Sequence, residues 1–358
     1  MDIHDAILSQ RLAGKRLSLE EGILLYSCDL LRLGKAAQAI VERMNPNHRV
    51  TFIVDRNVSY TNACVVDCDF CAFYRRPGDR EAYTLSYEQI FEKIQELVDL
   101  GGTQVLIQGG VNPELPLDYY LNLIRAIREK FPEVHIHSFS VVEFDMISKK
   151  FRIPLAQVFR IFKEAGLNSL PGGGAEILVE RVRKLISPKK ASSERWIEVM
   201  RTAHEAGLKS TATMVIGHVE TIEERIMHLI TVRDLQDETH GFRAFIPWTM
   251  STQGTPRMEH IHPTGGEDYL KTVAISRLML DNFGHIQSGW LTEGLKLGQV
   301  ALNFGCDDMG GTLLEDKVLE PTGIEVKTRR EDLVRLIREA GYIPAQRNTN
   351  YEILHVYN

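Results

Sequence analysis

The feature that most constrains the fold of this chain is a regular alternation of short β-rich runs with amphipathic helical stretches, which begins after Pro46. The first apolar runs are residues 51–54 and 58–60, and a helix is predicted from Ser86, whose capping partner is Gln89. Such alternation is typical of a parallel sheet with helices on its outside. Eight repeats predict a closed (β/α)8 TIM-type barrel, with a six-stranded open barrel as the alternative.

The remaining elements follow from the same patterns. The other predicted strands are residues 105–107, 134–139, 168–170, 210–216, 242–246, 286–290 and 301–304. The other predicted helices are residues 117–130, 155–165, 193–206, 267–280, 291–297 and 330–340, and Thr221 and Glu224 cap one more. Residues 1–45 are predicted to form a helical N-terminal extension, because Ser18 and Glu21 make a capping box. Residues 46–358 are therefore assigned to one barrel domain with a C-terminal helix and tail.

The charge balance limits the class of partner. The chain has 42 lysines and arginines against 48 aspartates and glutamates, a formal net charge of −6, and no long basic block. We therefore expect a small-molecule partner and no nucleic acid. Residues 1–16 mix charged with apolar residues, unlike a signal peptide, and no stretch reaches the roughly 18 apolar residues of a membrane span. A cytoplasmic protein without membrane partners or structural disulfides is expected.

The strongest local signal is the run CVVDCDFC, which places Cys64, Cys68 and Cys71 directly after the first predicted strand. In a β/α barrel, the loops at this end of the strands carry the chemistry. A 4Fe-4S cluster can take one cysteine on each of three irons, which leaves the fourth iron open for a ligand. Zinc or three buried thiols are the alternatives, although structural zinc normally takes four protein ligands. The isolated Cys28 and Cys306 are predicted to fill buried apolar positions.

This CxxxCxxC loop, with the aromatic Phe70 before its last cysteine, resembles the hallmark of the radical S-adenosylmethionine (SAM) superfamily. The resemblance covers residues 50–310 and implies a radical SAM barrel, with a 4Fe-4S cluster on Cys64, Cys68 and Cys71 and with SAM on the open iron. It implies an enzyme in which the cluster, fed by an external electron donor of flavodoxin or ferredoxin type, cleaves SAM to a 5′-deoxyadenosyl radical. The protein then supplies orientation and excludes water.

The resemblance also implies contacts to SAM, with Phe70 beside the cluster. Gln108, Gly109 and Gly110 follow the second strand, where the family has a Gly-Gly-Glu segment whose backbone receives the methionine amino group. The acid is absent here, and a tight turn is the alternative use of the glycines. Glu176 ends a glycine-rich run after the fourth strand, where related enzymes have a carboxylate that binds the SAM ribose. A merely flexible loop is the alternative there.

Glu143, His137 and Glu220 are the candidates for catalysis. Ser140 and Glu143 end the third strand, where they either face the active mouth, with Ser140 toward SAM, or lie in a solvated loop. His137 lies on that strand and is either a wall residue or a catalytic group. The stretch from Thr213 to Glu220 resembles the adenine-binding segment of the family, with threonine in place of its first glycine.

Arg243 is the candidate contact to the substrate. It lies in a predicted strand on the face opposite Phe242, Ala244 and Ile246, so it faces the lumen if those apolar residues face the helices. A buried guanidinium needs an anionic partner. That partner is either a carboxylate of the protein or a carboxylate of the substrate.

Several further runs narrow the resemblance to the enzymes of the futalosine route to menaquinone and to those that build the deazaflavin chromophore. They are residues 62–79, 101–104, 171–176, 217–220 and 245–249. The resemblance is nearest to a cyclising step, in which hydrogen is taken from the ribose of a nucleoside-derived substrate and the carbon radical closes onto a benzoate ring. A non-catalytic iron-sulfur carrier is the alternative from another class, although a carrier has little need for a full barrel.

Overall fold

The computed structural model describes residues 2–325 and 328–358. Its helices are α1 (Ile3–Leu12), α2 (Leu19–Leu25), α3 (Leu30–Met44), α4 (Tyr87–Asp99), α5 (Leu117–Lys130), α6 (Val141–Phe151), α7 (Leu155–Ala165), α8 (Glu180–Ile186), α9 (Ser193–Glu205), α10 (Ile222–Thr239), α11 (Gly266–Met279), α12 (Trp290–Ala301) and α13 (Arg330–Glu339). Its strands are β1 (Arg49–Ile53), β2 (Asp55–Ser59), β3 (Gln104–Gln108), β4 (His135–Ser138), β5 (Ser169–Leu170), β6 (Lys209–Ile216), β7 (Phe242–Thr249), β8 (His285–Ile286), β9 (Asp308–Gly311), β10 (Ile343–Arg347) and β11 (Ile353–Val356).

Strands β2 to β8 form one parallel sheet in chain order, and a helix or a pair of helices lies between each strand and the next. Burial alternates along these strands, as β6 illustrates. Its residues Ala212, Met214 and Ile216 are fully buried beneath the helices, whereas Thr213 and Val215 on the opposite face are only partly buried. The sheet therefore encloses a lumen that is lined by the second set of side chains.

Strand β9 occupies the eighth position of the barrel. Gln287, just after β8, forms a parallel bridge with Asp308 of β9, and β9 pairs with β1, which continues into β2 after one residue. The expected α/β TIM-like barrel is confirmed, but the predicted strand at residues 301–304 is wrong. Ala301 ends α12, and the next three residues form a turn in which the Phe304 N–H donates to the Ala301 carbonyl. A short apolar run suits a buried helix end as well as a strand.

The predicted strand at residues 286–290 is only partly extended. Ile286 ends β8, Gln287 forms the bridge to Asp308, and Trp290 already begins α12. A second sheet has the order β11-β10-β1-β9, in which β10 is parallel to β1 and β11 is antiparallel to β10. Neither C-terminal strand was predicted. Their connecting turn reaches the end of the lumen from which the barrel strands start, through Asn350 and Tyr351.

The N-terminal helices pack against the outside of the barrel. Helix α2 contacts α10, and α3 lies along α11. These contacts are close because glycines face the barrel: a Cβ on Gly22 would lie 2.9 Å from the Ile226 side chain, and one on Gly34 would lie 2.7 Å from Phe304. No helix within residues 2–325 and 328–358 combines the length and apolar character that a membrane span requires.

The predicted helix starts that rested on capping boxes are confirmed. Ser18, Ser86 and Thr221 each accept a hydrogen bond from the third backbone N–H of the helix, and the side chain at that third position returns a bond to the cap backbone. Two helices, α6 and α8, were not predicted. Helix α6 nevertheless begins with the same capping box, formed by Ser140 and Glu143. Its first turn forms part of the mouth of the barrel.

Candidate active site

The cysteine segment is a loop at the carboxyl end of β2, the end that we call the mouth of the barrel. Backbone hydrogen bonds close the loop at its base, from the Cys64 N–H to the Arg75 carbonyl and from the Arg75 N–H to the Asn62 carbonyl, both at 2.8 Å. Cys64 and Cys68 are buried and Cys71 is partly buried. All three belong to one apolar cluster, whose other buried members are Val66, Val111 and Val142. The loop thus brings the three predicted cluster ligands together at the mouth.

The surroundings of the sulfur atoms suit a metal cluster. The backbone N–H groups of Val66 and Val111 point at Cys64 Sγ, at 3.4 and 3.3 Å. Burial raises the pKa of Cys68 to about 12 and also raises the pKa of Cys71, so these thiols ionise only when a cation compensates the thiolate. Backbone donors of this kind stabilise metal-bound sulfur.

The described residues do not offer a site for a single metal ion. Among the described residues, no group of three or more His, Cys, Asp or Glu side chains is arranged to hold a metal ion. A 4Fe-4S cluster makes another demand, because each cysteine binds its own iron. Cys64, Cys68 and Cys71 would hold three irons of such a cluster, and the isolated Cys28 and Cys306 are buried far along the chain from this loop.

Glu176 lies beside the cysteine loop with one carboxylate oxygen unused. Lys190 Nζ is 2.6 Å from Glu176 Oε1, and the same ammonium lies 4.9 Å from the ring centroid of Phe70. Glu176 Oε2 is buried, lies 3.7 Å from an Arg183 nitrogen, and accepts no hydrogen bond. A buried carboxylate oxygen without a donor is costly unless a ligand supplies one. The hydroxyl groups of a ribose are donors of the required kind.

Lys190 connects the carboxylate to the cluster loop. Burial lowers its pKa, but Cys68 and Glu176 outweigh burial, so the pKa is raised and the ammonium stays charged. Sequence analysis missed this lysine, and no local pattern reveals it, because it reaches Glu176 across fourteen residues. Only the course of the chain between β5 and β6 brings the two together.

The glycines at the mouth allow backbones to approach one another. A Cβ on Gly110 would lie 2.3 Å from the Ala63 carbonyl oxygen, and one on Gly109 would lie 2.8 Å from the Thr61 carbonyl oxygen. These two glycines therefore let the loop after β3 pack against the cysteine loop. A Cβ on Gly173 would be 3.9 Å from both Gln108 Oε1 and Ser140 Cβ. The loops after β3, β4 and β5 thus meet at the mouth.

Ser140 and Glu143 are not in a solvated loop, which was one alternative. Ser140 caps α6, and both its N–H and its hydroxyl group donate to Glu143 Oε2 at 2.7 Å. The Tyr60 hydroxyl donates to the other oxygen, Oε1, at 2.8 Å. Glu143 is fully buried, and burial raises its pKa to about 7 against the opposing effect of these bonds. Its two oxygens are occupied by the frame of the mouth.

Glu220 is likewise held by its neighbours. The N–H groups of Gly217 and His218 donate to its two oxygens at 2.7 and 2.9 Å, and Arg225 Nε donates to Oε1 at 2.9 Å. Burial favours a higher pKa, but His218 and Arg225 outweigh it and the pKa of Glu220 is lowered. Thr213, which replaces the glycine of the family, donates from its hydroxyl group to the Gly172 carbonyl at 2.9 Å. These hydrogen bonds fix the conformation of the segment from Thr213 to Glu220.

Deeper in the barrel, His135, His137, Ser169 and Arg243 form a polar group that we call the lower lumen. Ser169 Oγ lies 2.7 Å from His135 Nε2 and 2.6 Å from His137 Nδ1. Arg243 Nη2 lies 3.4 Å from His137 Nδ1, and Nη1 lies 3.4 Å from Asn350 Oδ1. These residues come from β4, β5, β7 and the C-terminal turn.

The expected alternation along β7 needs one correction. Phe242 and Ala244 are buried on the face opposite Arg243, as predicted, but Ile246 is not on that face. The pairing of β6 with β7 shifts register between Ser210 and Ala212, so Ala244 and Phe245 are both buried and Ile246 is on the same side as Arg243. Such an irregularity reverses the side-chain alternation beyond it.

Comparison with known proteins agrees with this geometry. The family model described as "Radical SAM superfamily" matches residues 58–230, and that described as "CofH/MqnC C-terminal region" matches residues 239–358. A cyclic dehypoxanthine futalosine synthase of Halalkalibacterium halodurans is 46% identical over 99% of this chain and 95% of the relative. An aminodeoxyfutalosine synthase of Thermus thermophilus is 40% identical over 98% of this chain and 96% of the relative.

Among solved structures, methylornithine synthase has a similar fold. The TM-score is 0.73 at 19% sequence identity, and the alignment covers 95% of this chain and 97% of that one. At this identity the likeness shows the fold alone.

Proposed function

Because the chain belongs to the radical SAM superfamily, whose enzymes use a 4Fe-4S cluster and SAM, we propose that it is the cyclase that converts dehypoxanthine futalosine to cyclic dehypoxanthinyl futalosine in menaquinone biosynthesis. The observation that carries the proposal is the 46% identity to a synthase of that name across nearly the whole of both chains. The match includes the residues of the mouth and those of the lower lumen.

The proposed roles follow from the contacts at the mouth. Cys64, Cys68 and Cys71 hold the cluster, and Glu176 Oε2 accepts hydrogen bonds from the SAM ribose. Phe70, Gln108, Gly109, Gly110 and Ser140 complete the SAM site from the adjoining loops. When bound, the cluster and SAM supply a 5′-deoxyadenosyl radical that takes hydrogen from the substrate, with electrons from an external donor of flavodoxin or ferredoxin type.

The remaining candidates receive different roles. Glu143 and Glu220 are proposed to brace the mouth rather than to move protons, since the oxygens of both carboxylates are already hydrogen-bonded. His137 is proposed as a wall residue of the substrate space. Residues 46–358 are proposed to form the catalytic domain and residues 1–45 a helical extension packed on it.

The fate of the adenosyl group tests the proposal. With anaerobic enzyme, reductant, SAM labelled on its adenosyl carbons, and dehypoxanthine futalosine deuterated on the ribose, we expect one labelled 5′-deoxyadenosine per substrate cyclised, and that product should carry the deuterium. A relative from Thermus thermophilus is named aminodeoxyfutalosine synthase. In the alternative proposal of that activity, the adenosyl radical adds to an enolpyruvyl double bond and its carbons stay in the product. Adenosyl label in the main product would therefore reject the cyclase and favour the aminofutalosine activity.

A further inference from the structure

Arg243 lies in the lower lumen, and among the described residues its hydrogen-bond partners are neutral. Its side chain is only partly buried, yet enough protein surrounds the guanidinium to lower its pKa to about 10 through desolvation. Its place on β7, on the face opposite the buried Phe242 and Ala244, directs the side chain toward the lumen. Its hydrogen-bond partners, Asn350 Oδ1 and His137 Nδ1, are both long contacts at 3.4 Å.

The neighbours of Arg243 are neutral. Burial and Arg243 hold the pKa of His137 well below its ordinary value, and burial raises the pKa of Tyr351 well above its own. The neighbouring cation Arg347 is already paired with Asp308 through two hydrogen bonds. Within residues 2–325 and 328–358, no carboxylate forms an ion pair with Arg243. The net charge around Arg243 is therefore positive. A guanidinium that is surrounded by protein needs an anionic partner to compensate its charge.

The hydrogen bonds of the group leave this charge uncompensated. A guanidinium can only donate, so His137 Nδ1 accepts from Arg243, and the hydrogen of the neutral ring is on Nε2. Ser169 can donate to the same Nδ1 at 2.6 Å and accept from His135. The single lone pair of Nδ1 is then shared, and Arg243 makes the longer contact at 3.4 Å. The chain of donors and acceptors is complete without an anion, and none of its members lowers the charge of Arg243.

We propose that Arg243, with His137 and Asn350 beside it, binds the benzoate carboxylate of the substrate at the lower lumen. The inference rests on the proposed function for the identity of the substrate. It excludes the first alternative for Arg243, a carboxylate of the protein, and it gives the C-terminal turn a direct place in the substrate site. Both Arg243 and Asn350 lie in the region that matches the C-terminal family model.

The depth of the lower lumen fits such a substrate. His137 pairs in register with Leu106, and Gln108 lies two residues farther along β3, which is about 7 Å nearer the mouth. A benzoate held by its carboxylate at Arg243 therefore extends its ring toward the SAM site. The ribose that loses hydrogen is then on the mouth side of the ring, where the carbon radical can close onto it.

Binding of simple aryl ligands to the anaerobically reconstituted holoenzyme tests the site. We expect wild-type protein to bind benzoate at least about tenfold more tightly than benzamide, because a charge-assisted hydrogen bond is lost in the amide. Arg243→Gln should bind the two ligands nearly equally, and Arg243→Lys should keep part of the preference. Arg233→Gln is the control, because Arg233 is a buried arginine that donates to the Leu17 and Met279 carbonyls outside the lumen.

The outcomes separate the site from the proposed function. If wild-type protein shows no preference for benzoate, or if Arg243→Gln keeps the preference, the inference is wrong, even where dehypoxanthine futalosine is cyclised. If the preference depends on Arg243 but dehypoxanthine futalosine is not cyclised, the carboxylate site stands and the cyclase assignment fails. With the true substrate, Arg243→Gln should raise KM much more than it lowers kcat, since the carboxylate is remote from the reacting carbon.

Discussion

The charged side chains at the mouth of the barrel are paired within the protein, whereas the charge in the lower lumen is not. At the mouth, Glu176 is paired with Lys190 and Glu220 with Arg225, and Glu143 accepts hydrogen bonds on both oxygens. In the lower lumen, Arg243 keeps its charge among neutral groups. In the proposed function, the ligands of the mouth therefore bind at the three cysteines and at one carboxylate oxygen, whereas the lower lumen is proposed to bind an anion.

The difference matches the two ligands proposed for the barrel. In that proposal the free Glu176 Oε2 accepts hydrogen bonds from the SAM ribose at the mouth, and Arg243 binds the carboxylate of the substrate below. A substrate held by its carboxylate at Arg243 presents its other end to SAM, in one direction only. The three predictions below test each half of this contrast.

The largest effect is expected at the cysteines. Replacing any one of Cys64, Cys68 and Cys71 by alanine should reduce SAM cleavage to background, because the cluster loses an iron ligand. The barrel should stay folded, since its core excludes this loop, so far-ultraviolet circular dichroism should match the wild type.

The matched control for the cysteines is Cys306→Ala. Cys306 is also fully buried but belongs to the main core, so this variant should keep the iron content and the activity of the wild type. SAM cleavage that survives in any of the three loop variants would remove the cluster assignment.

The next effect contrasts Arg347, which is paired with Asp308, with Arg243, which has no ion pair among the described residues. Arg347→Met should lower the free energy of unfolding by about 3–5 kcal/mol, because it leaves Asp308 buried without its cation. Arg243→Gln should change it by less than about 1 kcal/mol, since no protein carboxylate loses a partner. Urea unfolding of both variants measures the difference. Equal losses would show that Arg243 is a structural residue and would remove the charge contrast.

The smallest effect is expected at Glu176. Glu176→Gln should weaken SAM binding by roughly tenfold, because a charged acceptor for the ribose becomes neutral, while the iron content stays constant. Equilibrium binding of SAM to the anaerobic protein measures this change. Glu224→Gln is the control, since Glu224 pairs with Arg181 on the barrel exterior. An unchanged SAM affinity in Glu176→Gln would make the carboxylate a partner of Lys190 and nothing more.

Much of the fold was predictable because its signals are local. The capping boxes at Ser18, Ser86 and Thr221 start helices where the sequence places them. The strands before residue 250 follow from short β-rich runs between amphipathic helices. Helix α6 carries the same capping signature at Ser140 and Glu143, although these two residues are predicted above to end a strand. The local signal for this helix is therefore present in the sequence.

The later strands could not be predicted in the same way. Strand β9 has the sequence Asp-Met-Gly-Gly, which has low β-propensity, yet it closes the barrel between β8 and β1. The more apolar residues 301–304 have the stronger strand signal and end a helix instead. Closure of the sheet selects the segment that reaches the open position, and that choice depends on long-range contacts.

The sequence by itself determined the cysteine loop, the alternation that makes a barrel and the helix caps, because each depends on residues a few positions apart. Only the tertiary structure decided that Lys190 faces Glu176, that Ile246 shares a side with Arg243, and that a C-terminal turn lies under the lumen. These contacts join residues that are distant in the chain. Their geometry is set by how the strands register and the barrel closes, and no local pattern contains that information.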